Sequence, residues 1–162
     1  MHTPLAALTG TTTPSGCFVP RNDKAPLAVT VATPSVLLTN FAYNPRLDAD
    51  MIAALYGDDY SYASEMFKTF LKVIVPDLPK LKEYWAASDW EMLGRLAHKV
   101  KPTFSMVGLT DIEKLISDIE KYAKNEPENL KLNTLLKQLD TILPEAVEIV
   151  KTDFEKMSFF LN

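Results

Sequence analysis

The sequence predicts an all-α protein, an antiparallel four-helix bundle preceded by a short extra helix and an irregular N-terminal tail. Three observations carry that prediction. From Pro45 onward apolar residues recur at spacings of three and four, no strand alternation of any length interrupts them, and caps and glycines cut the region into helix-sized pieces.

Taken in order, the short extra helix is expected over Asp48 to Tyr56, stopped by Gly57. The next begins near Asp58 or Asp59 and carries Met66, Phe67, Phe70, Leu71, Ile74, Leu78, Leu81 and Trp85 on one stripe. Pro76 and Pro79 should kink it or split it in two, because proline lacks an amide hydrogen and its ring crowds the preceding turn. Ser88 followed by Glu91 matches a capping box, so the third helix is expected to start there and to end at Gly108. Thr110 and Glu113 match a second box, followed by Ile112, Leu115, Ile116, Ile119 and Tyr122 as far as Asn125. The last helix is expected from about Pro127 to Met157, through Leu132, Leu135, Leu136, Leu139, Ile142, Leu143, Val147, Val150 and Phe154, with a bend at Pro144.

Composition narrows the function classes. A chain of 162 residues, 47% of them apolar, can bury one sizeable core, so one domain (45–162) with a tail (1–44) is expected. The tail holds Pro4, Pro14, Pro20, Pro26 and Pro34, which rule out a long helix, and at most a short extended piece near Val29 to Val31. Its opening PLAALTG is similar to the last strand of a receiver domain, but neither an aspartate pocket nor a following lysine accompanies it, and the segment is read as a leader. The formal charge is -4 with both signs interspersed, so no basic face offers itself to nucleic acid. No apolar run approaches the roughly 20 residues that span a bilayer, and a basic start followed by an apolar stretch is missing. Cys17, the single cysteine, permits no intramolecular disulfide and fits a reducing compartment. A soluble, cytoplasmic protein is the expectation.

The informative stretch is RLAHKVKPTFSMVGL, residues 95 to 109. If Trp90, Leu93, Ala97, Val100, Phe104 and Val107 form the buried stripe, His98 lies roughly 140° from its centre and faces water. Arg95, Pro102 and Ser105 share that outward side, and Lys101 sits one turn along, toward the flank. Pro102 strips an amide partner from the His98 carbonyl and should bend the helix there. That bend either clears a patch beside the ring or serves packing alone. His98 itself could be an ordinary surface residue. A metal site is disfavoured, since the other histidine is His2 and no carboxylate-x-x-His pairing occurs. A hydrolase triad fails because Ser105 lies two turns away without an orienting acid. A general-base enzyme would need a pocket of convergent polar groups, which a sequence does not reveal.

These residues resemble the histidine phosphotransfer (HPt) domain of bacterial phosphorelays, whose motif runs histidine, any residue, apolar, lysine, glycine, then mostly small residues, an apolar residue and glycine. His98, Val100, Lys101, Thr103, Ser105, Val107 and Gly108 fall into step with it. The likeness extends through LDADMIAALYGDD, FLKVIVPDLPKLKEYWAASDWEMLGRLAH and GLTDIEKLISDIEKYAK, covering roughly residues 45 to 157. Two positions depart: Pro102 stands where the family usually has glycine, and Phe104 where a small residue is common. Proline, like glycine, places no long side chain beside the ring, and the phase argument sends Phe104 into the core.

The resemblance implies that His98 carries a phosphoryl group between receiver-domain aspartates. Lys101, with Lys99 or Arg95, would offset the phosphoryl charge, and Arg95, Lys99, Pro102 and Ser105 would frame the docking surface. With no glycine-rich nucleotide loop and no magnesium pocket in the sequence, the chain is expected to be a stoichiometric carrier, not an enzyme, and to need no cofactor. The partner receiver would supply Mg2+. The implied partners are response-regulator receivers, with a hybrid histidine kinase as a further candidate, and the implied state is a monomer. A bundle that docks on a receiver or kinase as an inhibitor, without phosphorylation, is the alternative.

Overall fold

The structure, a computed structural model, describes residues 41–128 and 130–162. The expectations for the tail up to residue 40, including the extended piece near Val29, fall outside the described residues. Among the described residues six α-helices follow in order: α1 Ala49–Tyr56, α2 Tyr60–Thr69, α3 Pro79–Ala86, α4 Trp90–Met106, α5 Thr110–Asn125 and α6 Leu130–Phe160. No strand occurs among the described residues. The fold is an all-α bundle, in which α4 packs on α3 and α5, and α6 on α2 and α5.

Local chemistry sets each boundary. Asp48 caps α1 by accepting from the Met51 amide at 2.9 Å, and Gly57 ends it at φ 57. Asp59 caps α2 through the Tyr62 amide at 2.9 Å. The two prolines then split the long stripe instead of kinking it. Upstream of Pro76 the chain widens into a π-helical passage, Phe70–Ile74, then tightens into a 3-10 turn, Val75–Asp77. Around them the Val75 amide reaches the Phe70 carbonyl and the Leu78 amide the Val75 carbonyl at 3.2 Å, and Pro79 falls in the first turn of α3, where a missing amide hydrogen costs nothing.

Both expected capping boxes are absent. Ser88 closes α3 instead of opening α4: it takes the left-handed conformation, φ 56, and donates to the Trp85 carbonyl at 3.0 Å, while the Asp89 amide reaches the Tyr84 carbonyl at 2.9 Å. Asp89 is the cap of α4, accepting from the Met92 amide at 3.1 Å. The same closing motif recurs at Gly108, φ 76, with Gly108 donating to Ser105 at 3.0 Å and Leu109 to Phe104 at 2.8 Å. That turn leaves Leu109 as the residue before α5 and carries Thr110 into the helix, where its hydroxyl donates to Asp48 Oδ2 at 3.2 Å. Asp111 and Glu113 in the first turn of α5 face the positive end of the helix dipole instead. The last helix starts at Leu130, three residues past Pro127, and runs unbroken through Pro144.

The core follows the expected stripes. Phe67, Leu93, Ala97, Val100, Phe104, Val107, Ile116, Ile119 and Val150 are fully enclosed, and Phe70 meets Phe104 edge-on at 5.2 Å. Burial of each large side chain contributes about 1.5–3 kcal/mol. Trp90, read as part of the α4 stripe, is only half-buried. Residues 41–44, assigned to the tail from the sequence, pack on the bundle. Phe41 lies 5.8 Å from the Phe160 ring and 4.9 Å from that of Tyr43, and the Asn44 amide donates to the buried Asp153 carboxylate at 2.5 Å.

Candidate functional site

Helix α4 buries Leu93, Ala97, Val100 and Phe104 against the bundle, and its 3.6-residue repeat therefore turns His98 outward. The His98 side chain is 67% exposed, as the phase argument required. Its ring is not unsupported. His98 Nδ1 lies 2.9 Å from Oε1 of Glu120 on the neighbouring helix α5.

Glu120 joins three basic side chains. Lys101 Nζ donates to Oε2 at 2.9 Å, and Lys124 Nζ donates to Oε1 at 2.6 Å, the oxygen that also faces His98. Burial alone would push the Glu120 carboxyl up, but the hydrogen bonds from Lys124, Lys101 and His98 outweigh it and hold the group at about 2. Glu120 is therefore ionised at neutral pH and can only accept. Nδ1 must then carry the hydrogen, and a neutral ring keeps its lone pair on Nε2, which has no hydrogen-bond partner among the described residues. The arrangement is an oriented, exposed imidazole with two lysines against one carboxylate beside it.

The residues singled out from the sequence divide among three directions. Lys101 turns toward α5 and shares Glu120 with the histidine. Lys99 turns the other way and pairs with Asp77 of the 3-10 turn at 3.0 Å, where hydrogen bonds from Lys80 and Lys99 lower the Asp77 carboxyl. Arg95 pairs along its own helix with Glu91 at 2.5 Å. Lys99 and Arg95 are thus committed to other carboxylates, and Lys101 alone of the three joins the histidine cluster. Pro102 is exposed one turn after His98, and Ser105 is half-buried. Phe104, the second departure from the motif, is wholly within the core.

Sequence reasoning missed Glu120 and Lys124. A signal existed: Glu120 sits one turn after the buried Ile116 and four residues before Lys124, the spacing of a helical ion pair. What the sequence lacked was the pairing of α4 with α5, which brings residue 120 to residue 98. Among the described residues no group of three or more His, Cys, Asp or Glu side chains could hold a metal ion, and no helix is long and apolar enough to cross a membrane. An apolar cleft of about 350 Å³ between α3 and α6, lined by Leu78, Trp85, Leu136 and Leu143, shares no residue with the histidine cluster.

A family model described as "Hpt domain" matches residues 65–149, a span that includes His98, Lys101, Glu120 and Lys124. No curated protein and no solved structure matches the chain.

Proposed function

The chain belongs to the Hpt domain family, and on that premise we propose that His98 is the acceptor through which it takes a phosphoryl group from a receiver-domain aspartate and hands it to another. Histidine phosphotransfer in a phosphorelay is the family's role. The observation that carries the assignment is the exposed ring whose Nδ1 is tied to an ionised Glu120, leaving Nε2 as the nucleophile.

In the transfer step the Nε2 lone pair forms a bond to phosphorus while the acyl phosphate O–P bond of the donor breaks and its carboxylate departs. The ring then bears phosphorus on Nε2 and hydrogen on Nδ1, and is cationic. Glu120 faces that developing charge from a position it already holds before the bond forms. Because the same protonated ring is a good leaving group, the arrangement serves donation to the next aspartate as well. Lys101 offsets the phosphoryl charge from the adjacent turn.

Carrier chemistry of this kind asks the bundle for neither an ATP site nor a metal, and in this reading the receiver contributes Mg2+ and the acidic pocket. Arg95, Lys99, Pro102 and Ser105 flank His98 along α4 and, in this reading, form the docking face. Incubation of the full chain with a phosphorylated receiver should move the label to the wild type and leave His98→Gln unlabelled. Label on the His98→Gln protein would remove His98 from the role. With Mg-ATP alone the chain should stay unlabelled.

A further inference from the structure

We propose that Lys124 is a second phosphoryl-stabilising lysine, laid beside His98 by the absence of a side chain at Gly94; the inference rests on His98 being the acceptor. Gly94 lies in the interior of α4, where glycine is less favourable than alanine. Its place is explained by α5. A Cβ at position 94 would come within 3.2 Å of Lys124 Cγ and 3.6 Å of Cε, so the lysine stem lies flat across the α4 backbone at this point. Gly94 is one turn before His98, and helical side chains lean toward the N-terminus, which carries the His98 ring back over that same turn. The stem and the ring therefore occupy one patch.

Charge makes the second half of the argument. Glu120 needs one cation and has two lysines, with Lys124 Nζ and His98 Nδ1 on the same carboxylate oxygen. A dianionic phosphoryl group on Nε2 reverses the local charge balance and gives the surplus lysine a new partner. Of the two, Lys124 is the freer: its side chain is 47% exposed, against 27% for Lys101. When Lys124 turns to the phosphoryl oxygens, Glu120 Oε1 is left to the Nδ1 hydrogen. Loss of the lysine leaves the dianion without that partner and shortens the life of the phosphorylated form.

The test uses the full chain and phosphoramidate as donor, so that no receiver is involved: Nε2 bonds to phosphorus, the P–N bond of the donor breaks and ammonia leaves. After removal of the donor, phosphohistidine decay is followed by phosphorus NMR. Lys124→Met, which keeps the stem and the fold, should lose phosphate about fivefold faster than wild type, the scale of one partly exposed ion pair. Lys124→Arg should restore the lifetime to within about twofold, and Lys121→Met, a charge loss elsewhere on α5, should decay like wild type. Equal lifetimes for Lys124→Met and wild type, or equal acceleration by Lys121→Met, would overturn the proposal while leaving His98 as the acceptor. A wild-type chain that takes no phosphoryl on His98 would instead overturn the reading of the site itself.

Discussion

Replacing Glu120 by glutamine tests the electrostatic centre of the site without disturbing its shape. The wild-type carboxyl is held at about 2 against an ordinary 4.5, and that difference sets a ceiling of about 3 kcal/mol on what its ionic contacts add to folding. The cations around it are partly in water, His98 at 67% and Lys124 at 47% exposure, so screening reduces the figure to about 1–2 kcal/mol. Because the folded state depresses this carboxyl, the stabilisation is present above pH 4.5 and is lost as pH falls through about 2. Urea unfolding of the full chain, followed by the fluorescence of Trp85 and Trp90, would measure both proteins from pH 7 to pH 2. The Glu120→Gln chain should be about 1–2 kcal/mol less stable at pH 7, and the two curves should converge near the acid end, since wild-type Glu120 is then losing its charge. A gap that is absent at pH 7, or one that stays constant down to pH 2, would refute the claim that the three basic side chains stabilise an ionised Glu120.

Three further outcomes follow from the packing and caps. Phe104→Ala removes a fully enclosed ring that meets Phe70 edge-on and should cost about 3–5 kcal/mol by urea unfolding, which separates a core role from a docking role for this departure from the motif. Ser88→Gly relieves a non-glycine residue at φ 56 and should raise stability by about 1 kcal/mol, seen as a higher Tm. Ser105→Trp on the proposed docking face should weaken receiver binding in a titration while changing unfolding by no more than about 1 kcal/mol.

Much of the bundle was legible in the residues because helix formation is a local affair. The stripe Leu93, Ala97, Val100, Phe104 gave the outward direction of His98, and the left-handed stop at Gly108 needed nothing beyond its own turn. Where local signals competed, the sequence was ambiguous. Ser88 and Thr110 both have the chemistry of a cap, yet Ser88 is taken up by the turn that closes α3 and Thr110 already lies inside α5, so the cap passes to Asp89 in one case and to the backbone of Leu109 in the other. Pro76 and Pro79 allowed either a kink or a split, and the chain takes the split, through a wider pitch upstream and a 3-10 turn.

The sequence by itself determined that an imidazole would stand on the outer face of an amphipathic helix, because a 3.6-residue repeat and an apolar stripe leave no other orientation for residue 98. Which nitrogen of that ring is free was decided only by tertiary structure. The choice depends on Glu120, 22 positions away, whose ionised oxygen can accept but not donate and so fixes the hydrogen on Nδ1. Helical periodicity orders neighbours within one helix. Contacts between α4 and α5 arise from packing two stripes together, and the partners they bring to His98 have no spacing in the chain from which they could be read.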